Sequence, residues 1–293
     1  MSTVHHPTPS IQLPLIVITG PTASGKTGLA LDLAERYGGE IICADSRTIY
    51  EGMDIGTAKP TPDEQARVPH HLLDVVQPGE RYTAADFQAA AYRAISDIRM
   101  RGKVPFLVGG TGLYIDAVVL DFQWPERRQD PGDFDTYSDD ELRVMIKKQQ
   151  PGMPQNSMNR RHLVNALVRG ASTGKSRRLP LENTNVVAIS TDRLVLAERI
   201  QARAEQMFGA GVVEETVALA SRYGWDNEAM SGNIYPIIRR MQGGELSRSE
   251  AIEQFANRDK QLAKRQVTWL RRHDYVRWLA LDEARTYIET ILE

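Results

Sequence analysis

Residues 15–27 read LIVITGPTASGKT, and this stretch decides the fold. Five apolar or β-branched residues, Leu15 to Thr19, have the length of a buried strand. The next eight match G-x-x-x-x-G-K-[ST], and residues 28–36 carry Leu29 and Leu33 at helical spacing. Strand, glycine-rich loop and helix follow in the order that a phosphate-binding loop requires. Backbone amides of such a loop wrap a polyphosphate at the helix N-terminus. Gly20, Thr22, Ala23, Ser24, Gly25, Lys26 and Thr27 are therefore the candidate diphosphate-binding residues, with Lys26 a point charge and Thr27 a hydroxyl able to ligate Mg2+. The motif does not say whose phosphates these are. A second tract, GASTGKS at 170–176, is one residue short between its glycines, follows a helical pattern, and reads as a basic loop.

Working outward, residues 40–45, 71–76, 104–108 and 186–190 give further short apolar runs, and residues 83–100 form an alanine-rich amphipathic helix. Strands alternating with helices predict an α/β fold with a parallel sheet covered on both faces, here P-loop NTPase-like. Between residues 121 and 183 the strand signal stops and Pro-Gly punctuation appears. Two short helical patterns (139–150 and 156–169) lie there, which reads as a small helical insertion domain. The catalytic core is then residues 14–120 and 184–293, with helices at 193–208, 212–223 and 247–272, and residues 1–13 are a flexible tail whose His5 and His6 form no metal site.

No apolar run approaches the roughly 18 residues of a membrane helix, so no membrane partner and a cytoplasmic location are expected, and no long apolar patch argues against a monomer. One cysteine, Cys43, excludes disulfide scaffolds and thiolate metal clusters and reads as core filler. The net charge of -2 gives no overall attraction for nucleic acid. That sum hides segregation. Residues 121–141 hold eight acidic and two basic side chains, residues 158–178 six basic and no acidic ones, and residues 258–277 seven basic and two acidic ones. Two basic blocks shift the balance from solvated helix faces toward a polyanion groove.

Asp45 ends the second strand pattern, at the edge where open parallel sheets place ligands. It can hold magnesium through water, act as a general base, or cap a turn. VGGTG at 108–112 falls on the same edge, with Thr111 as its hydroxyl. The acidic strand end of purine-nucleotide hydrolases and the Arg-rich lid of ATP-dependent kinases are not evident.

GPTASGKT (20–27), ADS (44–46), IYEGMDIGTAKP (49–60), PHHLLD (69–74), YTAADF (82–87), VGGT (108–111) and QLAKRQVTWL (261–270) together resemble the bacterial tRNA dimethylallyltransferase, or IPP transferase, family. The resemblance implies transfer of a dimethylallyl group from dimethylallyl diphosphate to the exocyclic amine of the adenosine just 3' of the anticodon in tRNA, with Mg2+. It makes Asp45 the general base, and Lys26, Thr27 and Arg203 the groups that neutralise the leaving diphosphate. It assigns Thr111 to the flipped-out adenosine and Asp45, Ser46, Arg47 and Thr48 to reading that base. Arg161, Asn165, Lys264 and Arg265 become tRNA contacts, the insertion gripping the anticodon arm. Three positions depart from the family pattern, mostly on what the resemblance makes the RNA-facing side: Asn165 and Lys260 stand where Arg is usual, and Ile234 where Gly is usual. Outside this reading, a P-loop small-molecule kinase or NTPase, or a transferase acting on free adenine nucleotides, uses the same loop.

Overall fold

The structure, a computed structural model, describes residues 13–124, 131–134, 136–149, 152–154, 157–158, 160–169 and 176–293. The expected tail at 1–12 and most of the 170–176 tract lie outside the described residues. Two compact units are present, one from the stretches ending at Val119 and starting at Leu179, the other Leu120–Arg178.

In the larger unit, β1 (Leu15–Thr19) leads into α1 (Lys26–Arg36), and β2 (Glu40–Cys43), α2 (Pro62–Arg67), β3 (His70–His71), α3 (Ala84–Met100), β4 (Pro105–Gly109) and α4 (Gly112–Val119) follow. After the smaller unit come β5 (Thr184–Ile189), α7 (Arg193–Gly209), α8 (Val212–Tyr223), α9 (Tyr235–Gln242), α10 (Arg248–Leu270), β6 (Arg277–Leu279) and α11 (Leu281–Leu292), while α5 (Asp139–Gln149) and α6 (Arg160–Arg169) lie in the smaller unit. The six strands form one parallel sheet in the order β3-β2-β4-β1-β5-β6. β1 therefore sits between β4 and β5, with Ile18 opposite Val108 on one side and Val187 on the other. The P-loop-like α/β fold read from the sequence is the observed one.

The pleat sends Ile16, Ile18, Ile41, Cys43, Phe106, Val108, Val187 and Ile189 into one core with α1 and with Ala284 and Ile288 of α11. Cys43 is buried there, and burial pushes its thiol far above the ordinary range. Elsewhere α3 and α4 pack together, with the Phe87 and Tyr114 rings stacked 4.1 Å apart. A second core joins Ile49, Tyr50 and Met53 to α7, α8, α9 and α10. Thr83 and Ser247 cap α3 and α10 through reciprocal capping boxes with Asp86 and Glu250, so these helices start at the next residue.

The third strand is shorter than the expected 71–76 run. Leu72 and Asp74 have positive φ, which turns the chain out of the sheet, and only a bridge between Tyr50 and Val76 follows. Ile234, one of the three departures from the family pattern, is 1% exposed and belongs to the second core. In the smaller unit Phe134, Leu142, Ile146, Leu163 and Leu167 form a separate core. Arg160, first residue of the basic block in α6, donates to the carbonyls of Phe134 and Tyr137 and to Asp139.

One buried carboxylate ties the sheet edge together. Glu40, its side chain 3% exposed, accepts hydrogen bonds from Arg101 and His71 and pairs with Lys103. Burial alone would raise its pKa, but these donors hold it down at about 2. A carboxylate held below its ordinary value stabilises the fold above about pH 4.5 and loses that contribution as pH falls from there toward about 2. Glu40→Gln is expected to lower stability at pH 7 by about 2 kcal/mol, less than for a fully buried pair because Arg101 and Lys103 are nearly half exposed. Urea unfolding from pH 7 to 3 checks this: the gap between the two proteins should narrow below pH 4.5, and a constant gap refutes the assignment.

Candidate active site

The ends of β1, β2 and β4 open into a cavity of about 1240 Å³, with α7 and α10 on its rim. α1 begins at Gly25, whose φ of 90° only glycine adopts without strain, with no side-chain cap and no acidic residue in its first turn. Its first amides are left for an anion, and the helix dipole favours one. Lys26 donates from Nζ to the Pro21 carbonyl at 3.1 Å. Burial, reinforced by Arg203 and opposed by Asp45, lowers its pKa to about 8. Arg203, on α7, donates to Thr22 Oγ1 at 2.7 Å, while its Nε is buried with no partner. Ser24 Oγ is likewise buried and unpartnered. Two cations, Lys26 and Arg203, thus stand at the loop, with the Arg203 Nε and the Ser24 hydroxyl still unpartnered.

Asp45 and Ser46 continue from β2, and Thr111 from β4. Asp45 Oδ1 accepts from the Arg47 amide at 2.8 Å, the short-range turn bond that a capping aspartate makes. Asp45 lines the cavity together with Lys26, Thr27 and Thr111. The Ser46 amide donates to Thr111 Oγ1 at 3.0 Å, and the Thr111 amide to the Ala44 carbonyl at 3.2 Å, so the two strand ends are locked side by side. Arg47 reaches the Glu228 carbonyl at 2.9 Å, and Thr48 is buried with an unpartnered hydroxyl.

The sequence-predicted residues fall into two groups. Residues 22–28, 45–48, Thr111, Arg203 and Arg265 line the same cavity, whereas Gly20, which opens the loop, does not line it. Lys264, exposed one residue before Arg265, does not line it. Asn165 is half-buried on α6 of the smaller unit, and the Arg161 side chain lies outside the described residues. Other positive charges of the 258–277 block are engaged locally: Arg272 stacks over Trp269 at 4.8 Å, Arg277 over Tyr287 at 4.2 Å, and Arg258 donates to the Asn233 carbonyl.

Several cavity residues were not singled out from the sequence. Gln266 accepts from the Thr22 amide at 2.8 Å and donates to the Gly110 carbonyl at 3.1 Å. Glu215 accepts from the amides of Asp54, Ile55 and Gly56, and buried Lys59 binds Asp54, Asp74 and the Tyr50 carbonyl. These two charges hold the 49–60 motif against the second core. Asp259, 5% exposed, takes Asn233 at 2.9 Å, and burial raises its pKa. Only a few of these side chains carry a motif of their own. Gln266 stood inside a quoted motif, but nothing in its spacing says what it bonds.

The chain is similar to several known proteins along most of its length. The IPP transferase family model matches residues 48–273. The tRNA dimethylallyltransferases of Roseiflexus sp. (strain RS-1) and Geobacter metallireducens are 38% and 39% identical, covering 92% and 90% of this chain and 94% and 92% of their own. The solved tRNA isopentenylpyrophosphate transferase of Bacillus halodurans is 33% identical with a TM-score of 0.73, over 95% of this chain and 96% of that one. A eukaryotic dimethylallyltransferase acting on tRNA, 24% identical with a TM-score of 0.75, shares the fold over 92% of this chain and 74% of that one. With the family model spanning more than three quarters of its length, the chain belongs to the IPP transferase family.

Proposed function

We propose that this chain transfers a dimethylallyl group from dimethylallyl diphosphate to the exocyclic amine of the adenosine 3' of the anticodon in tRNA, releasing diphosphate. The observation that carries the reading is a single cavity holding both an anion loop with Lys26 and Arg203 and a carboxylate, Asp45, beside Thr111. An exocyclic adenine amine is a weak nucleophile until its proton has somewhere to go. As the nitrogen bonds to the allylic carbon, the carbon–oxygen bond breaks, its electron pair leaves on the diphosphate, and the amine proton passes to Asp45. Arg203 and Lys26 neutralise the charge that develops on the leaving group. To enter, the base leaves the anticodon stack, which suits a deep cavity with Thr111 and Ser46 at its acceptor end.

Magnesium fits this donor set. Among the described residues no group of three or more His, Cys, Asp or Glu could cage an ion. Thr27 lines the cavity, and its hydroxyl suits a hard cation that takes most of its oxygens from water and substrate phosphates. Bound there, it would supply Lewis-acid neutralisation of the diphosphate. Among the described residues no helix is long and apolar enough to cross a membrane.

Asp45→Asn is expected to cut transfer of labelled dimethylallyl to tRNA by about 10²- to 10⁴-fold. Its affinity for dimethylallyl diphosphate should stay within about threefold, and an active variant removes Asp45 from the chemistry. Chelating divalent ions should stop transfer, and magnesium should restore it. ATP consumption without prenyl transfer supports the kinase reading instead, and efficient transfer to AMP the free-nucleotide one. Lys26 gives a separate signature. At pH 9 it is mostly neutral in the empty site, whose pKa is about 8, and a bound diphosphate restores its charge. Titration calorimetry in buffers of different ionisation enthalpy should therefore read proton uptake on binding at pH 9 and little at pH 7. Uptake that survives in Lys26→Met assigns the proton elsewhere.

A further inference from the structure

The pairing of β1 with β4 ends at Thr19 opposite Gly109, where Thr19 Oγ1 donates to the Gly109 carbonyl at 2.9 Å. Past that rung the chains part, one into the anion loop and one toward Thr111. Gln266 enters the gap from α10. Its Oε1 accepts from the Thr22 amide and its Nε2 donates to the Gly110 carbonyl, so one side-chain amide supplies the acceptor and donor that a further strand residue would. The approach is close: a Cβ on Gly110 would lie 2.3 Å from Gln266 Nε2. One turn on, Trp269 covers Gly112 equally closely, and its indole N–H donates to buried Asp116 on α4 at 2.7 Å. His273 and Tyr275 also bond Asp116, fixing the end of α10.

We infer that Gln266 is a positioning residue that holds the diphosphate loop and the acceptor strip in register, so that donor carbon and attacking amine meet. The inference rests on the function proposed above. On one side Gln266 holds Thr22, whose hydroxyl takes Arg203. On the other it holds Gly110, next to Thr111, whose hydroxyl takes the Ser46 amide beside Asp45. Each half can still bind its own ligand without this rung. What the rung sets is their separation, and small errors in that separation are costly for a bimolecular step.

Gln266→Met keeps length and removes both bonds. Gln266→Glu keeps the acceptor toward Thr22 and sets a second oxygen against the Gly110 carbonyl. Both should lower kcat about 10- to 100-fold while KM and equilibrium affinity for dimethylallyl diphosphate and for tRNA stay within about threefold. A wild-type kcat in Gln266→Met, or a loss confined to diphosphate affinity, overturns the inference. Amide exchange gives a readout free of activity, with inorganic diphosphate as probe. In the wild-type chain diphosphate should slow exchange at least tenfold both at 20–27 and at 108–112. In Gln266→Met the slowing should remain at 20–27 and vanish at 108–112, whereas slowing at both in the variant overturns the proposal. Gly110→Ala, which crowds the amide from the other side, should give the same pattern if the Met variant proves unstable. A wild-type chain that transfers no prenyl group refutes the proposed function, and the exchange experiment still decides whether Gln266 couples the loops.

Discussion

Parallel pairing of Leu15–Thr19 with strands on both sides is the interaction on which the rest depends. β4 precedes the smaller unit in sequence and β5 follows it, so β1 carries the ladder that closes the sheet across that insertion. Parallel strands all end at one edge, which delivers the anion loop, Asp45 and Thr111 to the same cavity without any further device. The site is a consequence of strand order. An antiparallel neighbour at β4 would carry Gly109–Thr111 to the opposite edge, leaving the acceptor end of the cavity unbuilt.

Charge inside that cavity is arranged for a ligand that brings negative charge with it. Arg203 lies close enough to Lys26 to disfavour its charge, and Asp45 offsets only part of this. Alone, such a pair costs stability, since a buried cation without a partner is disfavoured. The rest of the chain treats its buried charges differently. Glu40 has three donors, Lys59 has two carboxylates, and Asp116 has an indole, an imidazole and a phenol. That contrast, framework charges met by donors or by charges of opposite sign and loop cations bonded to a neutral carbonyl and a hydroxyl, distinguishes structural from functional charge here.

Much of this was legible in the sequence because its causes are local. A strand followed by a phosphate loop has a fixed spacing, and capping residues such as Thr83 and Ser247 mark their helix starts within four positions. α4 escaped notice because six of its eight residues are buried, leaving no polar face to set a period. β6 is three residues long, too short for alternation to show, and β3, read from an apolar run over 71–76, is only His70–His71. Asp45 could be placed at a sheet edge from its position after an apolar run. Gln266 could not be assigned, because its partners lie 244 and 156 residues away and only the folded helix brings them to it.

The basic blocks teach the same lesson about charge. Read as counts, residues 158–178 and 258–277 are uniform positive patches. In the folded chain their members divide by what each can reach. Arg160 satisfies carbonyls inside its own small core, Arg272 and Arg277 lie over aromatic rings, Arg265 lines the cavity, and Lys260 and Lys264 are exposed on one long helix. Arginine forms bidentate bonds and stacks, so it is readily drawn into structure, while lysine keeps a mobile, hydrated charge. A polyanion therefore meets fewer free cations than the count suggests. Those it does meet on α10 stand on the helix that carries Gln266, so a contact with RNA along that face bears on the element that joins the two halves of the cavity.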